Sequence, residues 1–294
     1  MWLKLITNVL FVHTCLAFDL PQKSCPSDLK INNEDYQLTK SYDLGNKMPT
    51  DAHYDVYGNL FFVQNQRKEN GYTFNVFMLG NKSSTPEHVP GLPEDVSYSV
   101  ACDKKNLKMY FATQRGIYIY DYAAQCAIPY AASSTNINML FTDKYGNLYF
   151  TENDDGVQKL YLHDGKNKIP FKALESLRDL EIDDKNNFYF VKQDKLYLLK
   201  STSVTPIWIG NLTISDMVQI SYFKNTVFIA NNNLGYLHEN DTGRLKYVEN
   251  APANVTTIAF DKTGDFALGR NGEIMKYKKS ECPSQPADEI TIHE

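Results

Sequence analysis

The run Glu152-Asn153-Asp154 sets two carboxylates and an amide side by side, and Asn231 offers a second amide farther along the chain. Hard divalent cations take carboxylate and amide oxygens, so these four residues could hold calcium or another divalent ion. A second set is aromatic and cationic: Tyr98, Asn138, Arg115, Arg178 and Arg270, with Asn231 shared. Ring faces stack on planar molecules, and guanidinium forks meet carboxylate or sulfate oxygens two at a time. This set suits a small acidic aromatic ligand. The competing account is ordinary wet loops for the polar residues and strand packing for the tyrosine. Other chemistries lack their residues. The chain has no GxSxG elbow, no Gly-rich phosphate loop and no HExxH pair. His53, His88, His163, His238 and His293 fall at unrelated positions, with only His53 near a predicted strand start.

A repeat would have to position these side chains. Asp143-Lys144-Tyr145-Gly146-Asn147-Leu148-Tyr149-Phe150 reads as a strand end, a tight turn and a new strand. Asp supplies a side-chain acceptor, Gly or Asn takes the positive-φ position, and an apolar run follows. Related phrases begin at Asp55, Asp103, Asp183, Tyr222 and Asp261, so that copies lie 39–48 residues apart. Each is preceded by an apolar strand and followed by a second phrase, such as Gly116-Ile117-Tyr118-Ile119-Tyr120-Asp121, and then by a looser third. Four short strands in ~40 residues describe a propeller blade. The expected fold is an all-β, six-bladed β-propeller of four-stranded blades, with a β-sandwich of accidental period as the alternative. Projecting the repeat puts both residue sets at one mouth of the central channel. The Asp143 turn falls on the opposite face and is expected to be architectural.

The last blade runs out at Cys282-Pro283 before its fourth strand. Residues 35–43 resemble the missing strand, so the N-terminal segment is expected to close the ring and remove an open edge. Closure brings Cys25 toward Cys282 and leaves Cys102 to pair with Cys126, one of three possible pairings. Residues 1–17 read as a secretory signal peptide: Lys4, an apolar run, and small residues at Cys15 and Ala17 before the cleavage point. The mature chain, 18–294, is expected to be a single secreted, extracellular domain. Sequons at Asn81, Asn211, Asn240 and Asn254 agree with that compartment and with glycosylation. The net charge of -5 argues against nucleic acid and anionic membrane as partners. A monomer needing no cofactor, beyond a possible calcium or other divalent ion in the channel, is expected.

The segments Arg115-Gly116-Ile117-Tyr118-Ile119-Tyr120-Asp121, Leu177-Arg178-Asp179-Leu180-Glu181-Ile182-Asp183 and Ala259-Phe260-Asp261-Lys262 resemble the ommochrome-binding proteins of insect haemolymph. The resemblance implies a haemolymph carrier of tryptophan-derived ommochrome pigments that acts without catalysis. The same repeat also resembles the gluconolactonase type of propeller, which implies a metal-dependent lactonase or esterase built on a central Glu, two Asn and an Asp. Asn153 and Asn231 match plausible positions for the amides. No mouth Glu stands early in the first blade, and Asp51 would have to replace it. A propeller that only binds other proteins is the third reading.

Overall fold

A computed structural model describes residues 27–69, 71–165, 167–213, 215–239 and 245–280. These residues form strands, turns and no helix. The strands make six antiparallel sheets, five of them four-stranded and one five-stranded. The first strands of the sheets are Met48–Tyr54, Ser97–Asp103, Ile137–Thr142, Leu177–Ile182, Gln219–Phe223 and Val255–Phe260. These strands touch one another in succession, and the sixth returns to the first.

The repeated turn explains the first hairpin of each sheet. In the third sheet the Asp143 carboxylate accepts the amides of Tyr145 and Asn147 at 2.9 Å and the Asn147 Nδ2 at 2.7 Å. Asp55 and Asp183 make the same three bonds. Such a carboxylate, itself buried, replaces the ladder that the turn interrupts. The fifth sheet lacks the Asp and instead puts Lys224 and Asn225 both at positive φ, a two-residue hairpin turn. Gly146 is required twice over. Its φ is 79°, and a Cβ there would lie 2.2 Å from Asn106 Nδ2 of the neighbouring turn.

The core lies between sheets. Six apolar clusters each join two consecutive sheets, from Phe61 against Phe111 round to Tyr54 and Phe62 against Ala259 and Ala267. A sheet covered on both faces needs no alternation, which is why Leu60, Phe61, Phe62 and Val63 are all wholly buried.

The seam is closed as the sequence suggested, with one addition. Glu34–Asp43 pairs with Glu273–Lys279, from Tyr36 opposite Lys279 to Asp43 opposite Glu273. A further strand, Leu29–Ile31, then adds to Glu34–Asp43. Its Leu29 and Ile31 are buried against the fifth sheet, each worth roughly 1.5–3 kcal/mol. Cys25, Cys282 and the signal segment 1–17 lie outside the described residues. The expected Cys102–Cys126 disulfide is absent, and both thiols are free. These residues sit on opposite outer strands of one four-stranded sheet. Three strand spacings, about 14 Å, separate them, far beyond the ~7 Å that a disulfide can bridge.

Neighbouring first strands share no ladder, and side chains bridge them instead. Val100 N donates to Asp51 Oδ2 at 2.9 Å, Leu140 N to Ser99 Oγ at 3.1 Å and Ile220 N to Asp179 Oδ2 at 2.5 Å. Gln219 Oε1 accepts Ile258 N at 3.2 Å, and Thr257 Oγ1 accepts Ala52 N at 3.1 Å. Gln219 also reaches across to Ala52, accepting its N–H at 3.2 Å and donating Nε2 to its carbonyl at 3.0 Å. Among the described residues, only the step from the third sheet to the fourth lacks the device, because Met139 stands where the polar residue would be. Replacing Gln219 with Ala leaves Ile258 N and Ala52 O without these partners in a buried layer. Gln219→Ala should therefore cost about 2–4 kcal/mol, read as a lowered denaturant midpoint.

Candidate functional site

The strand-start mouth of the channel is set by bulges. Register slips by one residue at Tyr98, Asn138, Arg178 and Thr256, and in the first sheet at Asp51, whose φ is 43°. A bulge turns its extra side chain away from the ladder. Three of the expected ligand contacts, Tyr98, Asn138 and Arg178, are thus bulge residues, aligned from sheet to sheet.

Several of these groups are already engaged. Arg178 pairs with Asp194 at 2.7 Å and donates to the carbonyls of Gln193 and Ser215. Its guanidinium ties two loops of the fourth sheet together. Arg270 grips Glu273 through Nε and Nη2, both at 2.6 Å, and Glu273 also accepts Ser41 Oγ. Tyr98 packs edge-on against Phe74 at 5.4 Å. Arg115 is exposed and Asn138 half-buried. Asn231 Nδ2 donates weakly to the Met217 carbonyl at 3.4 Å, while its buried Oδ1 has no protein partner.

The cation set does not assemble as expected. Glu152 is buried and paired with Lys168, and Asp154 is paired with Lys159 at 2.8 Å. Asn153 stands between them on the same strand, so its side chain leaves from the other face. Two of the four intended ligands are thus already neutralised by ammonium groups. Among the described residues, no three of His, Cys, Asp or Glu converge as a metal site.

The opposite end of the channel holds a cavity of about 420 Å³. Its wall includes His53, Phe141, Glu181 and Tyr222, and Lys104, Lys105 and Lys144 stand on the turns around it. Lys105 reaches the Tyr145 carbonyl at 2.9 Å and Lys144 the Asp184 carbonyl, each tying one turn to the next. His53 Nε2 lies 3.3 Å from Asp51 Oδ1. Burial pushes the Glu181 carboxyl up to about 7, the nearby Asp51 adds to this, and His53 and Lys104 oppose it. Burial and Asp51 also raise Asp179 well above the usual carboxylate range. Sequence reasoning missed this end because it treated the Asp143 turn face as scaffold alone. The signal was present in Lys104 and Lys144, which each directly follow the turn Asp in consecutive copies, with Lys105 beside them.

The described sequons Asn81, Asn211 and Asn254 are exposed, and Asn240 lies outside the described residues. Cys102 is buried, which pushes its thiol up to about 12, so it is no nucleophile.

Two outcomes follow for the channel. Arg178→Ala should lower stability by about 1–2 kcal/mol, because it unties two loops at a partly exposed pair. Thermal melts check this. An acid with a raised folded pKa favours the fold while protonated. Stability should therefore fall as pH rises from about 4.5 to about 7, and Glu181→Gln should flatten that slope. Melts across this range read the effect, which the partial exposure of Glu181 keeps to roughly 2 kcal/mol or less.

No family model matches this chain. An ommochrome-binding protein from Manduca sexta is 22% identical over 231 residues, covering 76% of this chain and 81% of that protein. Among solved structures, a gluconolactonase from Xanthomonas campestris superposes with a TM-score of 0.65 at 9% identity, over 85% of this chain and 91% of its own. A virginiamycin B lyase from Staphylococcus aureus gives a TM-score of 0.52 at 11% identity, over 83% of this chain and 99% of that one. The structural likenesses establish a propeller-type, all-β fold.

Proposed function

We propose that the chain is a secreted, non-catalytic carrier of a small acidic aromatic ligand of the ommochrome type, held in the channel of a six-bladed propeller. In this reading the six sheets are the blades, residues 18–294 are one domain, and residues 1–17 direct secretion into the haemolymph. The observation that carries it is the state of the charged groups along the channel. The carboxylates that a metal-dependent hydrolase would use are paired with Lys168 and Lys159. The cavity at the turn end joins aromatic walls to a rim of lysines. That combination takes a planar acid: rings against Phe141 and Tyr222, and an acidic group toward Lys104. The distant likeness to an ommochrome-binding protein over most of the chain supports the same class of ligand. At the strand-start mouth, Tyr98, Arg115, Asn138 and Asn231 form a second rim that such a ligand could reach through the channel.

The gluconolactonase likeness supports the fold and, through it, the runner-up, a divalent-ion lactonase. One experiment separates the two. The purified secreted chain is mixed with an ommochrome such as xanthommatin and its visible spectrum recorded. A carrier shifts the absorbance, Lys104→Glu weakens binding by about tenfold, and a chelator leaves the melting temperature unchanged. No shift, together with chelator-induced loss of stability, would replace the carrier with the hydrolase.

A further inference from the structure

The seam between the sixth and first sheets holds a separate cleft of about 570 Å³. Its sixth-sheet side carries Lys40, Tyr42 and Lys276, and its first-sheet side carries Tyr54, Tyr57 and Lys82. The Lys40 ammonium lies 4.6 Å above the Tyr42 ring. Lys276 lies 5.9 Å from that ring and 5.7 Å from the ring of Tyr54. Two ammonium groups thus share one tyrosine, and neither is in an ion pair with a carboxylate among the described residues.

The carboxylates that line the cleft are committed to the backbone. Asp55 accepts the amides of Tyr57 and Asn59 and the Tyr122 hydroxyl. Asp261 accepts the amides of Thr263 and Gly264, and Asp265 accepts the amide of Lys279. These are turn and strand-end bonds, required by the fold whether or not a cation is near. Five lysines (Lys40, Lys82, Lys262, Lys276 and Lys278) and three aspartates line the cleft, so positive charge is in excess beside the tyrosine rings even with Asp261 acting on Lys276. Burial, with help from the charge of Lys40, lowers the pKa of the Lys276 ammonium. An anion placed between Lys40 and Lys276 would relieve both the repulsion and the lost hydration.

We propose that this seam cleft is a binding site for a small aromatic carboxylate, its acid group between Lys40 and Lys276 and its ring against Tyr54 and Tyr57. Tyr57 is 55% exposed and stands edge-on to Tyr122 at 4.9 Å, so it presents a free face at the cleft edge. An inorganic anion would use the ammonium groups and leave the aromatic wall bare. The cleft is distinct from the channel cavity, so acid binding here and pigment uptake there stand or fall separately.

The test is calorimetric titration of the secreted full-length protein with 2-naphthoate, 2-naphthamide and inorganic phosphate. In Lys104→Glu, which disfavours acids in the channel cavity, naphthoate should still bind one to one, with the neutral amide and phosphate each weaker by about tenfold or more. Added to that Lys104→Glu background, Lys40→Gln, at an exposed position, and Lys276→Met, which keeps the apolar stem, should each weaken naphthoate by about tenfold. The proposal is overturned by equal binding of naphthoate and its amide, by phosphate binding as tightly as naphthoate, by loss of binding in Lys104→Glu, or by both seam substitutions leaving naphthoate binding unchanged. Absence of naphthoate binding to the unmodified protein overturns it outright.

Discussion

Six sheets arranged in a ring face a difficulty at its centre. Their first strands approach one another but splay too much to share a ladder, and their inner amides would be buried unpaired. The chain meets this with side chains one strand away: Asp51, Ser99, Asp179, Gln219 and Thr257 each take an amide of the next sheet. Bulges beside most of these residues set the register that aims them. The polar lining of the channel is therefore first a structural device. Its weak acids are a by-product, since burial and the charge of Asp51 raise the proton affinity of Asp179 and Glu181.

The same constraint sorts the rest of the charge. At the strand-start mouth, cations and carboxylates are matched within sheets, as in Arg178 with Asp194 and Arg270 with Glu273. At the turn end, Lys105 and Lys144 link turn to turn through carbonyls, while Lys185 meets the Glu239 carboxylate. A lysine that bonds a carbonyl keeps its net charge, whereas one that meets a carboxylate does not.

The fold was legible because its repeat is written in side chains that act locally. The Asp143 turn needs only residues up to Asn147 to specify itself, and six spaced copies fix the layout. The closing strand could be read at Tyr36 to Tyr42 because it alternates like the strands it joins. Leu29–Ile31 could not, since three residues carry no period. The cysteines misled because an even count says nothing about which outer strand each occupies. At the site, position was legible and partnership was not. Arg178 was found at the mouth, but Asp194 and the Ser215 carbonyl come from loops whose approach depends on the bulge. Glu152 and Asp154 looked like ligands because Lys159 and Lys168 lie farther along the hairpin and return only once its register is set.

The seam also sets an order of events in time. The strand Glu34–Asp43 is made before any of the other sheets, yet its partner Glu273–Lys279 is made only after five of them. Thr39 bonds a carbonyl 237 positions away. During synthesis the edge of the early strand that will meet Glu273–Lys279 must wait while five sheets form behind it. The polar and lysine-bearing stretch Gln37–Lys40 keeps that waiting edge unattractive to other chains. The ring becomes a ring only once Glu273–Lys279 has been made, so a chain stopped before Val255 has every sheet but the sixth and no way to join its two sides.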